Sequence, residues 1–342
     1  MSHAVPLSMG WFCPTLGDTS AFGDPSKAFP QSMEHFERVT RAAENAGFDY
    51  MLVPVTPYCW DAWVAASFVV SRTSKIKALI AVKPGFIHPV AQAKMISSFD
   101  QMSNGRIYIN LIAGLSEKDA IAEGQLGSKE ARYEQLEEEV VIIKKLLSEE
   151  QVEYSGKYYK VEDAVLQPKP KRKPVIYAGG ESERAKQVIS TQCDAYVMHG
   201  DEPARIKEKI DDMKHRRAVA GLPPMSFGVA GYTIIRKNEE EVKREIERIT
   251  DVQQSAAGYG NYQDWLANTK LEQQVSLEDY SVSNRGLRSG LTGTPDQVAE
   301  RVAEFEAAGV DLLLLQCSPQ IEEMERFSEA VISRSNVRAL AA

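Results

Sequence analysis

The amino-acid sequence predicts a single (β/α)8 barrel, a TIM barrel, carrying two insertions, and three observations lead there. From residue 8 to about 335, short apolar, β-branched runs alternate with longer stretches of helical period, the pattern of parallel strands joined by crossover helices. Eight such strands occur, with no break where a second domain would begin, so residues 1–342 read as one domain. Helical stretches stop repeatedly at glycine, as a left-handed C-terminal cap requires. A doubly wound parallel sheet is the structural alternative.

Taken in order, strands are expected at 9–14, 50–55, 78–82, 107–112, 175–177, 195–198, 227–235 and 312–315, each a compact run of apolar or β-branched residues. The intervening helices are expected at 32–46 before Gly47, at 60–72, 89–102, 129–149 and 182–192, at 203–220 before Gly221, at 239–255, and at 295–308 before Gly309. Two stretches break the alternation and read as insertions, about 151–174 after strand 4 and about 256–291 after strand 7. In the first, Val152, Tyr154, Gly156, Tyr158, Tyr159 and Val161 alternate as a short hairpin, followed by a Pro/Lys segment that reads as a solvated spacer. The second is rich in Gly, Asn, Gln and Ser; a long loop at that face of a barrel reads as a lid or substrate arm.

Composition narrows the class. Hydrophobic residues make up 43% and charged residues 26% of 342, which excludes disordered, collagenous and membrane classes. A formal charge of −8 without a basic block argues against nucleic acid as a partner. No apolar run is long enough for a membrane span and no secretion signal is visible, so a cytoplasmic protein is expected. Cys13, Cys59, Cys193 and Cys317 lie far apart and act, if at all, as single thiols.

Reactive groups in such a barrel project from the C-terminal strand ends and the loops after them. That ranks Thr15 and Asp18 after strand 1, Thr56, Tyr58 and Cys59 after strand 2, Lys83 and His88 after strand 3, and Asn110 and Ser116 on and after strand 4. The later strands offer Gly179, Gly180 and Ser182, then His199, Tyr232, and finally Cys317 and Ser318. Gly179-Gly180 before a helix frees amide N–H groups to face a phosphate, although the pair also makes an ordinary turn and Glu181 opposes an anion. His88 reads as a capping residue. His199 is better placed to stack on a planar ligand or exchange protons, and His3, His35 and His215 receive no role. Cys59 lies in the loop that opens a helix and reads either as a thiol facing the helix N-terminus or as a small residue packed under the loop. No metallohydrolase or serine-hydrolase motif occurs.

Six stretches carry a resemblance further: Gly10-Trp-Phe-Cys-Pro-Thr-Leu-Gly-Asp18, Val53-Pro-Val-Thr-Pro-Tyr-Cys-Trp-Asp-Ala-Trp63, Asp100-Gln-Met-Ser-Asn-Gly-Arg106, Asn110-Leu-Ile-Ala-Gly114, Ala131-Arg-Tyr-Glu134 and Tyr177-Ala-Gly-Gly180. In this order the chain resembles the bacterial luciferase-like flavin monooxygenases, most closely the alkanesulfonate branch. The resemblance implies a barrel that takes reduced FMN (FMNH2) from a separate NAD(P)H:FMN reductase and reacts it with O2 to a flavin peroxide. It also implies a homodimer or homotetramer.

By the same resemblance Val55 and Thr56 flank the isoalloxazine and Asn110 contacts it. Arg132 and Tyr133 reach the ribityl-phosphate side, Gly179, Gly180 and Ser182 hold the phosphate, and Cys59 lies near the flavin. Arg285 matches the lid arginine, with Arg288 as the alternative. The departures concern substrate. Where the sulfonate enzymes carry Arg and His on strand 7, this chain has Ala230 and Tyr232; Ser318-Pro319-Gln320 stands for Tyr-Pro-His, Leu16 for His and His199 for Trp. Either Lys83, His199 and Arg285 supply positive charge from elsewhere, or the substrate is less acidic than a sulfonate. The expected activity is therefore oxygenation of a small organosulfur compound, a sulfonate or a sulfone, with C–S cleavage. Cys59, His199, Tyr232 and Arg285 are its candidate catalytic residues. The alternatives are an F420-dependent hydride-transfer oxidoreductase, a monooxygenase of a non-sulfur substrate, and a non-catalytic flavin-binding barrel.

Overall fold

The computed structural model describes residues 7–20, 25–113, 117–125, 127–250 and 286–334. Its central element is a closed barrel of eight parallel strands: β1 (Ser8–Phe12), β2 (Tyr50–Val53), β3 (Lys77–Val82), β4 (Ile107–Leu111), β5 (Val175–Gly179), β6 (Ala195–Met198), β7 (Ser226–Tyr232) and β8 (Leu312–Gln316). Around the barrel each strand neighbours its sequence neighbours, and β8 closes on β1 with Ser8 opposite Leu312 and Trp11 opposite Leu315. Strands covered on both faces need apolar side chains at successive positions, and Leu312 to Leu315 are all buried.

The main helices are α1 (Met33–Asn45), α2 (Ala62–Arg72), α3 (Pro89–Ser103), α4 (Lys129–Ser148), α5 (Glu183–Gln192), α6 (Pro203–Val219), α7 (Glu239–Thr250) and α8 (Pro295–Ala308). Their starts follow from side-chain chemistry. Ser32, Asp61, Ser128, Ser182 and Thr294 each accept a hydrogen bond from a first-turn amide, satisfying one of the N–H groups that a helix leaves unpaired. At α8 the Thr294–Gln297 capping box and Pro295 fix the start, and Gly309 at φ 96° ends it. The residues group into two compact units, one formed by Met1–Leu52, Met198–Asp212 and Phe227–Ala342, the other by Val53–Val197 and Met213–Ser226. Among the described residues no helix is long and apolar enough to cross a membrane.

Among the described residues the structure departs from the sequence expectation in several places, including an unexpected short helix at Glu117–Ala122. The seventh strand stops at Tyr232; Ile234–Ile235 leaves the barrel and pairs with Thr292–Gly293, because Ile234 N–H donates to Leu291 O. Two-residue strands Asp18–Thr19 and Ala28–Phe29 form an antiparallel pair, too short to show a period. A further helix, Gln320–Phe327, follows β8. The Pro/Lys segment is docked rather than a free spacer: Lys171 N–H donates to the buried Asp100 carboxylate (2.5 Å), Gln101 to Lys169 O (2.7 Å), and Lys169 Nζ to Leu146 O (2.7 Å). The hairpin before it forms as expected from Val152–Ser155 and Lys160–Ala164. Of the expected insertion at 256–291, only residues 286–291 fall within the described residues.

Arg106, in one of the six motif stretches, serves the fold. Its guanidinium donates to Val70 O (2.7 Å), Ser103 O (2.9 Å), Ile76 O (3.1 Å) and Thr73 Oγ1 (3.1 Å), tying the end of α2 to the start of β3 and the end of α3. Arg106→Met leaves those acceptors without their donor and is expected to lower stability by about 3 kcal/mol in a urea titration.

Candidate active site

In the unit that begins at Val53, the loop leaving β2 carries Val55, Thr56 and Cys59, all half-buried. Thr56 Oγ1 lies 3.1 Å from Cys59 Sγ and accepts from Tyr58 N–H at 3.3 Å, while Cys59 N–H donates to Thr56 O at 3.2 Å. The turn therefore holds thiol and hydroxyl together just before Asp61 caps α2.

Asn110 on β4 is buried, and its side-chain oxygen has no hydrogen-bond partner. Tyr133 in the first turns of α4 is buried likewise, its hydroxyl unpartnered, and burial pushes its pKa up to about 12 against the lowering charge of Arg132. Arg132 donates from Nε to Ala113 O (3.2 Å) and from Nη1 to Gly127 O (3.1 Å), which anchors the loop after β4 to α4. Gly180, at the end of β5, faces the Tyr133 hydroxyl so closely that a Cβ there would collide with it and would stand 2.7 Å from Ala185 Cβ. Tyr196 hydroxyl donates to Gly180 O (2.9 Å), and Ser182 caps α5 by accepting from Ala185 N–H (3.2 Å). A side-chain-free turn, a helix N-terminus and an unsatisfied phenol thus converge. Buried polar atoms are nearly always paired in native proteins, so an orphaned phenol beside a glycine cradle fits a phosphate oxygen as its acceptor. The residues present fit the phosphate of a flavin nucleotide, and the orphaned Asn110 oxygen fits a donor on its ring.

The loop after β3 is held by charges. Lys83 is buried and its ammonium is paired with Glu123; Gln125 donates to Pro84 O. Glu139 of α4 accepts from Gly85 N–H (2.6 Å) and from Tyr159 hydroxyl (2.6 Å), and Gln135 donates to Tyr159 at 2.8 Å. Burial pushes the Glu139 carboxyl up to about 7 in spite of those two donors. His88 caps α3, Nδ1 accepting from Val90 N–H at 3.3 Å, and its ring meets Tyr159 edge-on at 5.4 Å. Glu139 and Tyr159 escaped sequence reasoning because the partners of Glu139 are 54 and 20 residues away, a separation no local motif encodes.

In the other unit, Tyr232 is buried at the end of β7. Its hydroxyl accepts from Ser318 N–H (2.8 Å) and bonds the Cys317 thiol; burial drives it well above its ordinary value. Asp18 accepts from Thr19 N–H (2.8 Å) and Gln320 N–H (3.1 Å), with His35 Nε2 3.6 Å away, and burial raises its carboxyl pKa. His35, given no role from sequence, thus adjoins a strand-end carboxylate. Arg288 lies 3.3 Å from the buried Asp201, which Lys209 approaches at 3.6 Å. His199 is exposed on the loop leaving β6. Arg285 lies outside the described residues.

Comparison with known proteins follows the same lines. A family model for luciferase-like monooxygenases matches residues 8–312. Among solved structures, the fold is similar to EDTA monooxygenase from Chelativorans sp. BNC1 (TM-score 0.76, 17% identity, 98% of this chain and 94% of that one). It is also similar to riboflavin lyase, solved with modified FMN and riboflavin (0.81, 17%, 98% and 93%). A third likeness is to an F420-dependent secondary alcohol dehydrogenase with an F420-acetone adduct (0.73, 16%, 96% and 99%). On the match over residues 8–312, the chain belongs to the luciferase-like monooxygenase family.

Proposed function

We propose that this chain is an FMNH2- and O2-dependent monooxygenase of a small organosulfur compound, a sulfonate or a sulfone, working in the cytoplasm with a separate NAD(P)H:FMN reductase and as a homo-oligomer. The observation that carries the reading is the orphaned, buried Tyr133 hydroxyl against the Gly180 turn. When bound, reduced FMN supplies the two electrons that activate O2. Arg132 and Tyr133 with the Gly179–Ser182 turn hold its phosphate; Val55, Thr56 and Asn110 orient its ring. One oxygen atom enters the carbon next to sulfur and the other leaves as water, taking two electrons and two protons. The new hydroxyl then loses its proton, the C–S bond breaks with its electron pair on sulfur, and a carbonyl compound is released.

Cys59, aligned by Thr56, is assigned to the ring side, while His199 and Arg285 are assigned to proton handling and closure. Tyr232 acts from a buried position, through the turn that Ser318 and Cys317 make. A second reading, F420-dependent hydride transfer, takes its support from the likeness to the F420-dependent alcohol dehydrogenase. Oxygen consumption separates the two. With a flavin reductase, NADH and FMN, organosulfur compounds are expected to raise O2 uptake with stoichiometric release of sulfite or sulfinate. Substrate oxidation that proceeds anaerobically with F420 overturns the proposal.

A further inference from the structure

We propose that residues 117–125 form a strap that opens to admit the flavin and shuts over its cradle, with the Lys83–Glu123 ion pair as the latch. The inference rests on the flavin reading above and uses residues of one compact unit alone. The feet of the strap adjoin both orphaned groups. One foot is Ala113, in the chain leaving β4 just after Asn110, and the other is Gly127. A single guanidinium grips the two: Arg132 donates from Nε to Ala113 O at 3.2 Å and from Nη1 to Gly127 O at 3.1 Å. The next residue is Tyr133, whose hydroxyl faces Gly180. Ends held together by one side chain make a compact loop that can swing about that point without disturbing the barrel.

The strap is fastened to the loop after β3 by two contacts. The Lys83 ammonium, 2% exposed, pairs with the Glu123 carboxylate, and Gln125 Nε2 donates to Pro84 O. Ala81 lies opposite Asn110 in the barrel, so Lys83 stands at the strand end next to that side chain. Glu123 and Gln125 are presented by a set turn: after the helix Glu117–Ala122, Gly124 N–H donates to Ile121 O (3.0 Å) and Gln125 N–H to Ala120 O (2.8 Å), with Gly124 at φ 83°. Both fastenings are polar, and polar contacts exchange with water at a small net cost, as a cover that opens repeatedly requires. The Glu123 side chain is 19% exposed, so water can solvate its carboxylate when the strap lifts. Lys83 Nζ also lies 5.4 Å from the centre of the Phe86 ring, which retains the ammonium when the carboxylate leaves. Reduced flavin handed over by a separate reductase has to enter before water is shut out, which gives a reversible latch its use.

Stopped-flow mixing with FMN tests the latch. Glu123→Gln removes the ion pair, and Gln125→Ala removes the second fastening without leaving a buried charge unpaired. The association and dissociation rate constants are expected to rise together, by about 10-fold in Glu123→Gln and by less in Gln125→Ala, with the dissociation constant within about 3-fold of wild type. Unchanged rates in both variants overturn the proposal. A dissociation constant that weakens through the dissociation rate alone also overturns it, because the two side chains then hold the bound ligand and do not control its entry. Wild-type protein that binds no FMN overturns the flavin reading and the strap's role with it.

A second measurement needs no ligand. In the free protein, the amide hydrogens of residues 117–125 are expected to exchange about 10-fold faster in Glu123→Gln than in wild type, while those in the middle of α4 exchange at the wild-type rate. Unchanged exchange over 117–125 contradicts the latch. Equal acceleration in α4 contradicts it too, since the ion pair then supports the whole unit and not the strap.

Discussion

Replacing Tyr133 by phenylalanine is expected to weaken FMN binding about 10- to 100-fold while leaving the unliganded protein as stable as wild type or slightly more stable. The two effects have one cause. The hydroxyl is buried without a partner beside Gly180, so the free protein bears the desolvation of a polar group and gains no bond in return. A phosphate oxygen completes the bond, and a hydrogen bond to a charged acceptor contributes roughly 1.5–3 kcal/mol. Thermal melting of the free protein and fluorescence titration with FMN read the two quantities separately. A purely structural tyrosine behaves differently: its loss lowers the melting temperature and leaves FMN affinity intact. Gly180→Ala provides the contrast, because its Cβ fills the turn and forces Tyr133 or Ala185 aside, so binding and stability fall together.

The second large effect is on pH. Burial raises the Glu139 carboxyl to about 7 from its ordinary value of 4.5, so the folded state disfavours its charge. A folded-state value above the unfolded one means that the contribution is fully present below about pH 4.5 and is lost as pH rises through about 7. At 1.36 kcal/mol per pH unit, the loss is about 3 kcal/mol. A glutamine at this position can still accept from Gly85 N–H and the Tyr159 hydroxyl but carries no charge. Glu139→Gln is therefore expected to be more stable than wild type at pH 8, by about 4 °C in a chain of this length, with the advantage fading toward pH 5. Melting temperatures of both proteins across pH 5–8 provide the check; parallel profiles place the titration elsewhere.

Periodicity makes the barrel legible. Runs such as Leu312–Gln316 and the caps at Ser182, Thr294 and Gly309 signal their elements within a few residues, and the His88 cap is readable from His-Pro alone. The seventh strand is overread because Ile234 and Ile235 continue its apolar run while pairing outside the barrel. The phosphate cradle is half legible: Gly179-Gly180 marks the turn, but the ordinary-turn reading loses ground only once Tyr133, far earlier in the chain, is seen to lie against Gly180 with its hydroxyl unpaired. Charge pairing is not legible at all. Lys83 looks in the sequence like a cation available to an anion and Arg288 like an alternative lid arginine, and the distant Glu123 and Asp201 take them up. Hydrophobic period specifies which face of an element is buried, whereas long-range ion pairs depend on which elements the barrel brings together.

The most direct test of the account is an anaerobic titration of the purified protein with reduced FMN, and in parallel with reduced F420, followed by tryptophan fluorescence. Saturable binding of reduced FMN with a dissociation constant of about 1 μM, weakened in Tyr133→Phe and unmatched by F420, is the predicted result. Saturation by reduced F420 with no binding of reduced FMN contradicts it.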